Sequence, residues 1–192
     1  FRRVLFRSQQ ILKLLVNGVY DRSIAHWVNI EETKSERLNT TSPNEVLLSF
    51  QDHLTIQFTE KETSFIKDLY GGSRYFDIES ILFYALGRTF YDLFGLKTVK
   101  VNLEGHGRDN TAADFDISRT VGWFTSSYPV LLHFSSENEL DALLNFQYQL
   151  GNIPDNGTSY SWLKQTGKFS SGGEIANPFI DFNYHGSNVC LV

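Results

Sequence analysis

At 192 residues, the chain is long enough for one domain with a sizeable core. Its 41% hydrophobic and 20% charged residues, with 16 Phe and 9 Tyr, describe a globular protein and exclude a disordered one. The formal net charge of -5 argues against nucleic acid as the main partner, and no apolar run of membrane-spanning length occurs.

A single cysteine, Cys190, forms no internal disulfide and supplies no thiolate cluster. The chain contains no Met and is read as a piece of a longer polypeptide. Its opening string, Phe1-Arg2-Arg3-Val4-Leu5-Phe6-Arg7-Ser8, lacks the continuous apolar core and cleavage site of a signal peptide. The string resembles translated adapter sequence and is given no functional weight. Residues 1–22 are accordingly set apart as a chain start that is helical or in part artefactual.

Ile11, Leu12, Leu14, Leu15, Val16 and Val19 form a helical stripe that ends near Gly18. Residues 31–46 are polar, with a Pro43-Asn44 turn, and read as a surface connection. Leu54, Ile56 and Phe58 alternate with Thr55 and Gln57, predicting a half-buried strand. The spacing of Thr59 and Glu62 is that of a capping box, and it opens a short helix carrying Phe65, Ile66 and Leu69 that stops at Gly71-Gly72.

Asp77 caps a second helix, whose apolar face runs from Ile78 to Phe94 and ends at Gly95. Val99, Val101 and Leu103 alternate with Lys100, Asn102 and Glu104, so Glu104 lies on the polar face at a strand's end. Gly122 to Phe134 is rich in strand formers, and a helix follows from near Ser136. A loop holding Asn152, Pro154, Asn156 and Gly157 separates it from a short helix at Tyr160-Ser161-Trp162-Leu163. Ser170 to Gly173 reads as a turn, and Phe179 to Tyr184 as a last strand. Strands alternating with helices give an α/β fold.

Glu104-Gly105-His106-Gly107-Arg108-Asp109 is the densest cluster of reactive groups. A strand-end carboxylate followed by a glycine-rich loop suits a general acid or base at a cleft. A plain turn with one Arg–Asp surface pair is the competing reading. Trp123 reads either as the wall of a pocket or as core, and Asn183 and Tyr184 either as hydrogen-bond groups for a substrate or as a strand end. The five histidines (His26, His53, His106, His133 and His185) show no metal-ligand spacing, so no metal is expected. No Gly-x-Ser-x-Gly elbow and no phosphate-binding loop occurs.

Taken in order, Glu-Gly-His-Gly-Arg at 104–108, Ser-Arg-Thr-Val-Gly-Trp-Phe-Thr at 118–125 and Phe-Asn-Tyr-x-Gly at 182–186 resemble the later motifs of the epimerization domains of nonribosomal peptide synthetases. These domains belong to the condensation-domain superfamily. Tyr128-Pro129-Val130-Leu131-Leu132 fits the same region. Ile153-Pro154-x-Asn156-Gly157 resembles the next motif, with Ser159-Tyr160-Ser161 in place of the usual Gly-Tyr-Gly. Asp109 stands where the family usually has Glu, and His185 where an aliphatic residue is common. The resemblance covers residues 23–192.

It implies a chloramphenicol acetyltransferase-like fold of two α/β lobes flanking a tunnel that admits a carrier protein's phosphopantetheine arm, the lobe here being a mixed sheet with helices packed on one face. Residues 23–192 then correspond to an incomplete C-terminal lobe, because the family's paired-histidine motif lies in the first lobe and no His-His pair occurs here. In the epimerizing branch the carboxylate matching Glu104 faces that histidine, and the pair removes and returns the α-proton of an aminoacyl or peptidyl thioester. Gly105, His106, Gly107, Arg108, Trp123, Asn183 and Tyr184 are the implied substrate- or arm-binding set, with His106 and Arg108 shaping the loop. The implied partners are a peptidyl carrier protein and the N-terminal lobe, with no directly bound cofactor and a cytoplasmic location. A peptide-bond-forming condensation lobe and a non-catalytic docking module are the alternatives.

Overall fold

The computed structural model describes residues 2–38, 52–73, 76–108, 119–134, 138–169 and 180–184. The chain divides into two units: Phe1–Ser35, Thr98–His133 and Gly151–Val192 form the first, and Glu36–Lys97 and Phe134–Leu150 form the second. The described elements give the mixed α/β architecture expected from the sequence.

The first unit is built on a three-stranded mixed sheet in the order β2-β1-β3, with β1 Thr98–Gly105, β2 Ser126–His133 and β3 Asp181–Phe182. β1 and β2 are antiparallel, pairing Val101 with Val130 and Gly105 with Ser126. β3 runs parallel to β1, pairing Asn102 with Asp181 and Leu103 with Phe182. The period of two buries Val99, Val101 and Leu103 together with their partners Leu132, Val130 and Tyr128.

Three helices belong to this unit: α1 Arg2–Val16, α2 Ile24–Glu32 and α6 Thr158–Gln165. Trp27 of α2 is fully buried, donates its indole N–H to Ser159 Oγ at 3.1 Å, and packs edge-on against the Tyr160 ring. Ser161 Oγ donates to the Ser127 carbonyl at 3.1 Å. Ser159 and Ser161 are thus both hydrogen-bonded.

Before α6 the backbone turns through three left-handed residues, Asp155, Asn156 and Gly157. A left-handed non-glycine residue costs roughly 1–2 kcal/mol. Asp155 offsets this with its carboxylate, which accepts from Arg22 at 3.0 Å and Ser23 Oγ at 2.8 Å. Gly157 is required, because a Cβ there would lie 1.9 Å from the Tyr128 ring.

The second unit holds α3 Glu60–Ser73, α4 Ile78–Phe94 and α5 Glu139–Gly151. Both predicted helix starts are present. Thr59 N–H donates to Glu62 at 2.7 Å while Glu62 N–H donates to Thr59 Oγ1 at 3.3 Å, and Asp77 accepts from Ser80 N–H at 2.7 Å. Gly95 closes α4 in the left-handed conformation. Gly87 lets α4 approach the Phe146 ring, which is buried with Phe83, Phe90 and Phe134.

The structure corrects two expectations in this unit. Residues 54–58 form no strand with any other of the described residues, and Leu54, Ile56 and Phe58 are exposed, so their alternation marks no half-buried strand. An alternating run becomes a strand only where a neighbouring backbone pairs with it and a layer covers its apolar side. Helix α3 also continues through Gly71-Gly72 to Ser73 instead of stopping there. The connection read at 31–46 starts later than expected, because α2 runs on to Glu32 with Glu31 buried; its residues 39–46, the helix start at Ser136, the turn at 170–173 and the first residue of the last strand, Phe179, lie outside the described residues.

One buried charge network ties α2 to α6 and β1. The Glu31 side chain, 1% exposed, accepts from Lys164 Nζ at 2.7 Å and from the Tyr160 hydroxyl, while Lys100, 2% exposed, donates to the Glu31 carbonyl at 3.1 Å. Burial pushes the Glu31 carboxyl up, but the hydrogen bonds from Lys164 and Tyr160 and the charges of Lys164 and Lys100 outweigh it and leave the carboxyl below its ordinary value. Burial, with the Glu31 carboxylate beside it, pushes the Tyr160 phenol up to about 12.

A carboxyl depressed in the folded state stabilises it above the unfolded pKa, and this contribution disappears as pH falls through the folded value. Glu31→Ala is therefore expected to cost about 2 kcal/mol at neutral pH. In urea titrations of the domain the deficit should shrink as pH drops below the glutamate range. A deficit independent of pH would assign the loss to packing alone.

Candidate functional site

The site grows from the end of β1. Glu104 sits opposite Ser127 of β2, half-buried, on the face away from Val101 and Leu103. The parallel pairing of Leu103 with Phe182 brings Asn183 alongside it, and the Asn183 amide donates to Glu104 Oε2 at 2.6 Å. One step back, Asn102 bridges the sheet, accepting from Ser127 Oγ at 2.9 Å and donating to Asp181 at 2.6 Å. These side-chain bonds on the polar face supplement a ladder that is only two residues long on the β3 side.

Beyond Glu104 the chain turns through two glycines. Gly105 lies against Ser126, whose Oγ would be 2.9 Å from a Cβ there. Gly107 has φ +60, and a Cβ on it would fall 1.7 Å from the Phe124 carbonyl oxygen. That position admits glycine alone. Arg108 follows: its backbone N–H donates to His106 Nδ1 at 3.0 Å, and its guanidinium donates to the carbonyls of Thr120 at 2.9 Å and Gly122 at 3.3 Å. The same guanidinium lies 4.5 Å from the centroid of the Phe124 ring. Arg7 of the opening string donates to the Gly107 carbonyl at 2.5 Å.

Of the residues singled out from sequence, Glu104, Gly105, His106, Gly107, Arg108 and Asn183 thus form one cluster at the end of the sheet. Tyr184 follows Asn183 and is half-buried, and His106 is exposed. Trp123 is 90% exposed on the loop before β2, so it is not core. Asp109, Ser118 and His185 lie outside the described residues. Phe124 has no role of its own in the sequence motifs, although its ring and carbonyl form the floor of the loop. The signal for it is the pair of glycines at 105 and 107, which announce that something passes close by.

The cluster offers one acid, one amide aimed at it, and a preorganised loop, which suits proton transfer or the orientation of a polar ligand. No group of three or more His, Cys, Asp or Glu that could hold a metal is gathered among the described residues. No helix among the described residues is long and apolar enough to cross a membrane.

A strand-end carboxylate on a mixed sheet, followed by a Gly-x-Gly loop, defines a class of α/β lobe, and comparison with known proteins identifies it. The family model described as the condensation domain matches residues 17–189. The chain belongs to this family, the condensation-domain superfamily of nonribosomal peptide synthetases. A plipastatin synthase of Bacillus subtilis (strain 168) is 34% identical over 173 residues, 86% of this chain and 7% of that protein. Bacitracin synthase 3 of Bacillus licheniformis is 39% identical over 111 residues, 57% of this chain and 2% of that protein.

Among solved structures, the epimerization domain from the third module of tyrocidine synthetase B superposes with a TM-score of 0.69 at 27% identity, covering 82% of this chain and 35% of that one. The condensation domain of the monacolin K polyketide synthase MokA shares the fold, with a TM-score of 0.60 at 16% identity over 90% of this chain and 41% of that one. The chain therefore spans a small part of the curated relatives and about a third of the epimerization-domain chain. The superfamily and the acetyltransferase-like lobe implied by the motifs are both met.

Because the Phe124 carbonyl fills the space beside Gly107, Gly107→Ala is expected to displace the 105–108 loop. It should cost about 2 kcal/mol or more in stability, as misplaced left-handed positions and backbone clashes do. Gly151→Ala, at a glycine with nothing within 4 Å of the added carbon, is the control. Thermal melts that do not separate the two variants would refute the close approach.

Proposed function

We propose that the chain is part of an epimerization-type domain that inverts the α-carbon of an aminoacyl or peptidyl residue held as a thioester on a carrier protein's phosphopantetheine. The observation that carries this reading is the Glu104 carboxylate at the end of β1, with one oxygen held by the Asn183 amide at 2.6 Å. The 27% identity to an epimerization domain and the Glu-Gly-His-Gly-Arg wording at 104–108 support it.

In this reading residues 23–192 are the C-terminal lobe of a domain within a cytoplasmic multidomain synthetase, and a histidine of the N-terminal lobe faces Glu104. The α-C–H bond breaks as one group of the pair takes the proton, and the electron pair delocalises into the thioester carbonyl as an enolate. The other group, protonated, returns a proton to the opposite face and re-forms the C–H bond. Two groups on opposite faces of a planar intermediate are what inversion requires. Asn183 sets the carboxylate's orientation, and Gly105, Gly107 and Arg108 shape the loop beside it. His106, Trp123 and Tyr184 are assigned to the wall that meets the substrate arm.

The family match to condensation domains favours peptide-bond formation as the second reading. A docking module without turnover is the third. Solvent deuterium exchange at the substrate α-carbon in the intact synthetase separates them. Glu104→Gln is expected to lower exchange by roughly 10²–10⁴-fold, and Asn183→Ala by about tenfold, the loss of one hydrogen bond to a charged group. Wild-type protein that forms peptide bonds without exchange establishes condensation. Neither exchange nor peptide-bond formation by the wild-type domain, with carrier binding and pathway output unchanged in Glu104→Gln, would leave only the docking role.

A further inference from the structure

Strand β3 meets β1 over two residues, Asp181 and Phe182, and the Asn102 N–H donates to the Ile180 carbonyl at 2.8 Å. So short a ladder fixes its register weakly. On the polar face, however, the strands meet in two rungs of matched composition. Asn102 donates its side-chain amide to Asp181 at 2.6 Å, and one rung further Asn183 donates its own to Glu104 at 2.6 Å. Both rungs pair an amide with a carboxylate, but the amide stands on β1 in the first and on the β3 side in the second. Asn102 cannot turn its amide over, because its carbonyl oxygen accepts from Ser127 Oγ at 2.9 Å and would otherwise face the Asp181 carboxylate. Ser127, whose backbone pairs with Glu104, thereby anchors the first rung to β2.

A slip of β3 by two residues keeps each side chain on its own face, so the pleat does not oppose it. In one direction the slip sets Asp181 against Glu104, two carboxylates with no donor between them. In the other it sets Asn183 against Asn102 and strips Glu104 of its amide. We infer that Asn102 and Asp181 are positioning residues, a register key that selects Asn183 as the partner of Glu104. That this selection serves proton transfer rests on the epimerization reading above; the pairing itself does not. Neither residue belongs to the motifs at 104–108 and 182–186, and in that reading neither touches the reacting atoms.

The test exchanges the two members of the key in the intact synthetase domain. Asn102→Asp puts a second carboxylate against Asp181. Asn102→Asp combined with Asp181→Asn restores an amide–carboxylate rung in the opposite sense, with its carboxylate still facing the Ser127 hydroxyl. Two readouts follow each variant: the side-chain amide resonance of Asn183, identified by its disappearance in Asn183→Ala, and α-proton exchange with solvent. Asn102→Asp should move the resonance to the position of a solvent-exposed asparagine. It should also lower kcat for exchange by about tenfold, the loss expected for Asn183→Ala, with KM unchanged. The exchanged pair should return the resonance and bring the rate back to within about threefold of wild type. Added to Asn183→Ala, Asn102→Asp should cost no further activity.

A resonance that stays in place in Asn102→Asp, or a rate that does not recover in the exchanged pair, would overturn the key. So would losses that add between Asn102→Asp and Asn183→Ala, since Asn102 would then act by another route. If Asn102→Asp does not fold, Asn102→Ala removes the bridge without adding a charge and is read in the same two ways. Absence of exchange in the wild type overturns the epimerization reading, and the resonance alone then decides the register.

Discussion

The candidate site depends on two backbones passing so close at Gly107 and Phe124 that no side chain fits between them. Once Gly107 takes its left-handed conformation, the chain leaving Glu104 runs alongside the approach to the strand that begins at Ser126. Arg108 then reaches the Phe124 ring and the two carbonyls before it. The same device recurs before α6, where Gly157 leaves room for the Tyr128 ring. Both contacts put a glycine where a segment must stack on β2 or its approach more tightly than any Cβ allows.

What was legible in the sequence was local. The caps at Thr59 and Asp77, the left-handed stop at Gly95 and the alternation of Val99 to Glu104 each encode their geometry within a few residues, and each is present. The motif cluster at 104–108 marks the site for the same reason. The run at 54–58 misleads because alternation records what a strand would need, not whether a neighbour supplies it. Glu31 reads as one acid in a polar connection, yet it is the buried centre of a network whose partners lie on α6, and nothing near it in the sequence announces Lys164 or Tyr160.

Asn183 illustrates the boundary. The family resemblance points to the residue as one that orients the thioester or its arm. The parallel pairing of β3 with β1 places its amide on the Glu104 carboxylate. That relation belongs to topology: a donor and an acceptor become neighbours because two short strands share a register. The superfamily assignment and the chemistry accordingly stand at different depths. The fold follows from the match over residues 17–189, whereas the proposed reaction turns on what faces one carboxylate.

The order in which the chain is made adds a consequence. Glu104 and Asn183 are 79 residues apart, and β3, which brings them together, is only two residues long. During synthesis at ~5–20 residues per second, β1 and β2 can pair several seconds before Asn183 has even been polymerised. The acid is therefore built early but locked late, by a contact that must close a loop of 79 residues. Maturation of such a site is paced by the ribosome's arrival at Asn183, and a stall between the two residues would yield a paired β1 and β2 with a carboxylate that is not yet held.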